Sequence, residues 1–401
     1  MNKCLKRFCF LLVVVILLSG CSGRVELNEL LIVSSMGIDL DGDEVIVHLQ
    51  VINAGGKSSQ QSTGTGGTVY TYTAQGKTLF DAIKNANHIL PRNILFSHIT
   101  SFIIGEMYAR DAGLASFLDF LERNSQIRDT VLIFVAKDST ARDVLTLYTP
   151  IFKNPGESIK QRVSISSTST GISEGIREKD IINWRYGEFR DPVIQGIERL
   201  ELNDTAGTTD TLEDIDANKK TYRMNGLALF KKERLTGWFD YHQTLAWSII
   251  DNRVNHPVLV NGACEGQDGN LGFRVQDIKS SVKPTIKKGN ISFHVNVTGT
   301  AVLKEVTCDL DVSDPKVLKD LEKVVETALQ KDIESAVDKA KDLKIDVFGF
   351  GKMVYDKEPD IWEKEYGKEW GTAIQELNVS TVVSIKMENT GTRVNTIHEE
   401  E

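Results

Sequence analysis

The polarity pattern along the chain changes period several times, and each change predicts an element. Lys3, Lys6 and Arg7 precede an apolar run over 8–18. That run is too short for a helix crossing a hydrocarbon core that needs about 20 residues, so it predicts a cleaved signal peptide over 1–20. Residues 30–39 and 45–52 are strand-like, joined at Asp41-Gly42-Asp43 in a hairpin. The Gly, Ser, Thr and Gln stretch over 54–68 reads as a flexible loop. From Val69 the pattern alternates. Strands are predicted at 69–73, 99–104 and 131–135, and helices at 78–89, around Leu114, Phe117, Leu118 and Leu121, and at 141–148 after the capping-type Ser139.

Residues 150–220 carry Pro155-Gly156, the polar run 166–170 and an acidic stretch at 203–216, and read partly as linker. Beyond them, 226–230 is strand-like, Trp238 is expected as a core anchor, and an apolar stretch occupies 245–250. Further strands are predicted at 258–259, 291–297 and 301–310. The strongest helix begins at Ser313-Asp314-Pro315, a cap followed by proline at the first helical position, and runs to Lys344. Val317, Leu321, Val324, Ala328, Leu329, Ile333, Ala336, Val337 and Ala340 drift along one face. About thirty residues at 1.5 Å rise give ~45 Å, enough to span two sub-lobes. A last helix near 361–370 and a strand at 378–387 follow. These elements predict an α+β protein of two to three mixed sheet-and-helix lobes, with the long C-terminal helix packed on a largely antiparallel sheet. The expected division is signal peptide 1–20, tether 21–29, an N-terminal α+β domain 30–200, an acidic linker 201–221, a C-terminal α+β domain 222–388, and a disordered tail 389–401.

The apolar run ends in Leu18-Ser19-Gly20-Cys21, a lipobox. Small Ser19 and Gly20 suit a signal peptidase pocket, and the Cys21 thiolate is the atom that becomes a diacylglyceryl thioether. An ordinary secretory peptide with a chance cysteine is the lesser alternative. Two acyl chains hold a protein firmly at about 0.8 kcal/mol per buried methylene. Loss of residues 1–20 lowers the basic count from 47 to 44 against 56 acids, moving net charge from −9 to −12. Such a chain is repelled by nucleic-acid phosphates, so no nucleic-acid partner is expected, and membrane attachment falls to the lipid.

Of five cysteines, Cys4 and Cys9 leave with the signal peptide and Cys21 is acylated. Cys264 and Cys308 remain, both in strand-like runs. Export permits a bridge between them, but two cysteines make no disulfide framework, and separate buried thiols are the favoured expectation.

Candidate chemistry is sparse. Gly171-Ile172-Ser173-Glu174-Gly175 spells a nucleophile elbow, with Asp191 and His242 following in hydrolase order, but the preceding 166–170 is too polar for a buried strand and reads as a surface loop. Asp39, Asp41 and Asp43 alternate as in a calcium loop, yet Glu44 and Gln50 stand where glycine and a bidentate glutamate belong, so a hairpin turn explains them better. Gly56-Lys57-Ser58 lacks the leading glycine of a phosphate loop. Seven scattered histidines offer no metal-ligand spacing. Trp184 and Tyr186, and Trp362, Tyr366 and Trp370, are candidates for a ligand cleft, although aromatics at helical spacing are more often core. No catalytic, cofactor or metal residue is assigned; Cys21 is the site residue.

Joined to the lipobox, the downstream segments resemble the Ger(x)C family, the lipoprotein C subunits of bacterial spore germinant receptors. The residues that carry the likeness are 24–30 and 36–39, 91–98 with 104–106, 118–123 with Arg128, 131–137, 226–232 with 235–238, and 346–351. Ser22-Gly23 departs from the tryptophan and acidic residue that often follow the family's cysteine. The resemblance implies a non-enzymatic, three-lobed subunit at the outer face of the spore inner membrane. It also implies two partners, a multispanning A subunit and a transporter-like B subunit, with nutrient sensing leading to ion release and germination. Two rivals remain. A solute-binding lipoprotein of a transporter would need two lobes of parallel βαβ units around a cleft, and a surface hydrolase would use Ser173.

Overall fold

The computed structural model describes residues 29–52, 69–147, 155–170, 175–187, 189–200, 221–287, 290–367 and 369–389. The signal peptide, Cys21, the 54–68 loop, Ser173, nearly all of the acidic 201–221 segment and the tail from 390 lie outside these residues.

The first of two sheets contains β1 (Leu30–Asp41), β2 (Glu44–Ile52), β3 (Val69–Gly76), β4 (Asn93–Leu95), β5 (Ser101–Gly105), β6 (Leu132–Ala136), β7 (Val193–Arg199), β8 (Tyr222–Lys231) and β9 (Arg234–Phe239). Their spatial order is β3-β2-β1-β5-β6-β7-β8-β9, with β4 beside the start of β1. The middle strands β1, β5, β6 and β7 are parallel, and both flanks are antiparallel. Parallel neighbours need crossovers. Among the described residues these connections hold a π-helical turn at Tyr108–Ala112 and the α-helices α1 (Leu79–Ala86), α2 (Ala115–Arg123), α3 (Ala141–Leu145), α4 (Pro155–Thr170) and α5 (Glu178–Tyr186).

Both faces of the central strands are buried, which is why their sequences are continuous apolar runs rather than alternating ones. Phe102, Ile104, Ile133 and Val135 enter the large core, whereas Ile103, Phe134 and Ala136 enter a second core under α3 and α4. In β1 a bulge between Val33 and Ser35 reverses which positions face the large core: Leu31 and Val33 before it, Met36 and Ile38 after it.

Local signals misplaced two features here. α3 is capped by Thr140, not Ser139: the Thr140 hydroxyl accepts from Asp143 N–H at 3.1 Å, and the Asp143 carboxylate accepts from Thr140 N–H at 3.0 Å. The polar run 166–170, read as a loop, ends α4. Ile159, Val163 and Ser167 are buried at i, i+4 and i+8, so a small hydroxyl continues the stripe, and Ser167 Oγ donates to Ser164 O at 2.9 Å. β7, before the 201–221 segment, pairs with β8 after it, so 222–239 completes the first sheet.

The second sheet contains β10 (Val258–Ala263), β11 (Asn270–Lys287), β12 (Asn290–Val306) and β13 (Asn378–Asn389), in that order. β10, β11 and β12 pair antiparallel and β13 joins β12 in parallel. The predicted strands at 291–297 and 301–310 merge into the single β12, which ends at Val306, four residues short of the predicted end. The apolar stretch 245–250 lies in a helix, α6 (Tyr241–Ile250), and the long helix is α7 (Pro315–Leu343). Asp314 accepts from Lys316 N–H at 2.8 Å to cap α7. Its buried stripe is Leu321, Val325, Leu329, Ile333, Ala336, Val337 and Ala340; Val325, absent from the expected face, is fully buried, and Val317, Val324 and Ala328 are only partly covered. α7 packs on β10 and β13, and its Leu343 end reaches Gly237 in β9, so one helix spans both sheets. The architecture is the expected α+β one, with the long helix on a largely antiparallel sheet.

Cys264 and Cys308 are joined in a disulfide, with Cα atoms 6.4 Å apart. The expectation of separate thiols fails because β11 and β12 form a long hairpin whose base brings the ends of β10 and β12 together. Trp238 is half-buried, its Nε1 donating to Glu106 Oε1 at 3.0 Å, and the fully buried tryptophan is Trp247.

Candidate functional site at the junction of the two sheets

α7 ends at Lys344 in the left-handed conformation (φ 56°), closed by Ile345 N–H to Ala340 O at 3.0 Å. Two residues on, the carboxylate of buried Asp346 accepts from the N–H groups of Gly349 (2.8 Å), Phe350 (3.0 Å) and Gly351 (2.6 Å) and from Trp370 Nε1 (2.9 Å). These contacts satisfy orphan donors at the start of α8 (Phe350–Lys357). Burial pushes the Asp346 carboxyl above the usual range, while those hydrogen bonds and the charge of Arg190 pull it back. Gly349 adopts φ +75°. At Gly351 a Cβ would come within 2.7 Å of the Trp362 ring and 3.0 Å of Trp370 Nε1, so only glycine lets α8 pack against the tryptophan pair.

Asp191 ties this cap to the first sheet. Its N–H donates to Asp346 O and its carboxylate accepts from Asp346 N–H, both at 2.8 Å, while the other oxygen accepts from Lys232 N–H at 2.8 Å. Burial raises the Asp191 carboxyl, opposed by these backbone donors and by Lys231 and Lys232. Next to it Arg190 donates to Asp251 Oδ1 at 2.6 Å, and Arg253 donates to Asp251 Oδ2 at 2.6 Å and to Asp180 Oδ1 at 3.2 Å. The guanidinium carbons of Arg190 and Arg253 lie 4.6 and 5.2 Å from the Trp184 ring centroid. Both also lie 5.6 Å from Trp247. Desolvated cation–π contacts of this kind contribute about 1–2 kcal/mol each. Trp247 Nε1 donates to Val347 O at 2.9 Å, closing the network onto the Asp346 segment.

A cleft of about 740 Å³ opens beside this network, between the 189–192 segment, the β8–β9 turn, the end of α7 and the 367–372 turns. Arg185, Arg190, Lys231, Lys232 and Lys344 bring five cations to it. Of the three acids among its described lining residues, Asp191 and Asp346 are engaged by backbone N–H groups, which leaves exposed Glu369.

The residues singled out from the sequence fall in different places. Asp191 lines the cleft, whereas His242 is exposed on α6 and meets Asp332 at 3.1 Å, so these two are committed to separate contacts. Asp39 is buried: it accepts from His48 Nε2 at 3.0 Å and from the N–H groups of Ala141 (2.9 Å) and Arg142 (3.1 Å), holding the start of α3, while Gly42 makes the hairpin turn. Among the described residues no group of three or more His, Cys, Asp and Glu side chains is arranged to hold a metal. Trp362 and Trp370 are buried core residues, and Trp370 also lines the cleft. Trp184 is the platform for the two arginines. Tyr186 is exposed and donates to Glu122 at 2.7 Å. The sequence reading missed Arg190, Asp251, Arg253, Lys232 and Lys344. The 226–232 and 346–351 blocks, Asp191, Trp184 and Trp370 fall in this region, but nothing in the sequence joined them, because the network's members come from five separated segments.

The family model described as "Spore germination protein N-terminal domain" matches residues 23–199, and that described as "Spore germination B3/ GerAC like, C-terminal" matches residues 225–391. Spore germination protein KC of Bacillus subtilis (strain 168) is 28% identical over 404 residues, covering 99% of this chain and 98% of the relative. Spore germination protein B3 of the same organism is 22% identical, covering 97% and 99%. Among solved structures, the crystal structure of the GerBC protein superposes with a TM-score of 0.54 at 18% identity, over 88% of this chain and 97% of that one, and shares the fold. With both germination domains in tandem over most of its length, this chain belongs to the Ger(x)C family of spore germination proteins.

Proposed function

We propose that this protein is the lipid-anchored subunit of a spore nutrient germinant receptor. In this reading Cys21 carries a diacylglyceryl group, the body sits at the outer face of the spore inner membrane, and the protein acts by assembly with a multispanning A subunit and a transporter-like B subunit rather than by catalysis. The observation that carries it is the tandem of germination domains, the first beginning at residue 23, two residues after the lipobox cysteine. Among the described residues, which begin at 29, no helix is long and apolar enough to cross a membrane, and attachment in this reading rests on the lipid at Cys21. The second sheet, mainly antiparallel, does not favour a solute-binding lipoprotein built from two parallel βαβ lobes.

Cys21→Ala tests the anchor. The variant is expected in the soluble fraction of spore lysates, with slowed nutrient germination measured as loss of optical density. Retention in the membrane fraction would overturn the anchoring. Affinity capture of the tagged chain from spore membranes is expected to bring down both a multispanning and a transporter-like protein, and capture of neither refutes the assembly.

A further inference from the structure

Among the described residues, the lining of the cleft at the sheet junction carries an excess of positive charge on a chain whose net charge is −9. Arg190 is committed to Asp251 and Arg185 approaches Glu233 at 3.6 Å. Lys231, Lys232 and Lys344 are exposed, and among the described residues none of them makes an ion pair within 4 Å. The nearby carboxylate of Asp191 is already held by two backbone N–H groups.

A second observation concerns backbone conformation. Lys232 and Lys344 both adopt left-handed φ, +59° and +56°, which costs a residue with a Cβ energy that glycine does not lose. Lys232 opens the two-residue turn between β8 and β9, and Lys344 is the left-handed residue that ends α7. Glycine or asparagine is the ordinary occupant of both kinds of position. The left-handed backbone itself favours neither lysine, although a cation suits the C-terminal end of α7, and both line one cleft, converging from elements more than a hundred residues apart in sequence. Of the five non-glycine residues with positive φ among the described residues, two, Lys232 and Lys344, line this one cleft, and residues held in sparsely populated conformations are a pointer to function. The volume of about 740 Å³ lies in the range of small-molecule sites, and Phe189 and Trp370 add apolar faces to the charged rim.

We propose that this cleft binds a small organic anion bearing two or more negative charges, with Lys231, Lys232 and Lys344 as the recognising cations. The inference goes beyond the receptor reading and does not depend on it, because binding is a property of the isolated chain. Carboxylate and phosphate share the required chemistry, so both serve as probes.

The full chain, purified in a non-ionic detergent at about 0.15 M salt so that diffuse attraction is screened beyond roughly 8 Å, is titrated calorimetrically with citrate, succinate and inorganic phosphate. Saturable binding of at least one is expected. The double variant Lys232→Gly/Lys344→Gly places glycine at two left-handed positions, so its melting temperature is expected to stay level or rise while affinity falls tenfold or more. Lys84→Ala, an exposed lysine on α1, is expected to bind as the parent does. Three outcomes would each overturn the proposal: no saturable binding of any probe, equal affinity in the double variant, or binding seen only with vesicles of anionic lipid and not with the free anions.

Discussion

Glu178 offers a quantitative test of the packing around α5. It opens that helix, is only 5% exposed, and its Oε2 is buried without a hydrogen-bond partner among the described residues. Burial, reinforced by the negative charges of Asp129 and Glu122, pushes its carboxyl from the ordinary 4.5 up to about 7. The folded protein therefore holds a proton that the unfolded chain releases. The stability this contributes is fully present below about pH 4.5 and is lost as pH rises through about 7. At about 1.4 kcal/mol per pH unit between the two values, the charged form costs the fold roughly 3 kcal/mol at pH 8. Glu178→Gln fixes a neutral side chain of the same shape. Its amide must itself be buried, so a net gain of about 2 kcal/mol is expected at pH 8, with none at pH 4.5. Urea unfolding of parent and variant at the two pH values, followed by tryptophan fluorescence, measures the difference. A gain independent of pH, or a loss at pH 8, would refute the buried-carboxylate reasoning.

Other consequences follow from the junction and the disulfide. Asp346→Ala strands four buried donors, and at about 1–3 kcal/mol for an unsatisfied group it is expected to cost at least 3 kcal/mol, seen as an earlier urea midpoint and faster proteolysis of the 345–374 region; native resistance would contradict the cap. Gly351→Ala drives a methyl into Trp362 and is expected to cost about 1–3 kcal/mol, measured by thermal unfolding. Replacing Cys264 and Cys308 together by alanine opens a loop with a sequence separation of 44. The loop-entropy relation sets about 4 kcal/mol as the scale of the loss. Two thiols titrating in the native, unreduced parent would contradict the bridge.

Much of the architecture is legible locally. The Asp314-Pro315 start of α7, the stripe Leu79, Ala82, Ile83 and Ala86 of α1, and the hairpin at Gly42 each follow from a few neighbouring residues. Such signals work because capping, turn conformation and one-sided burial are decided within one or two turns of chain. Where they mislead, a distant contact overrides them. The end of α4 is polar by composition but helical because Ile159 and Val163 face the second core and Ser167, one further turn on, is buried on the same stripe.

The amino-acid sequence alone determined the β1–β2 hairpin, the helices α1 and α7, the acidic balance, the lipobox ending at Cys21 as an expectation of export, and the family blocks from 24 to 351. The tertiary structure decided the rest: that 222–239 completes the first sheet, that Cys264 meets Cys308, and that lysines 231, 232 and 344 share one cleft. The physical reason is the range of the interactions. Helix caps and apolar periods are set by neighbours in the chain, whereas a sheet edge, a disulfide or a charged cleft brings together residues tens to more than a hundred positions apart, and no local pattern encodes which segments will meet.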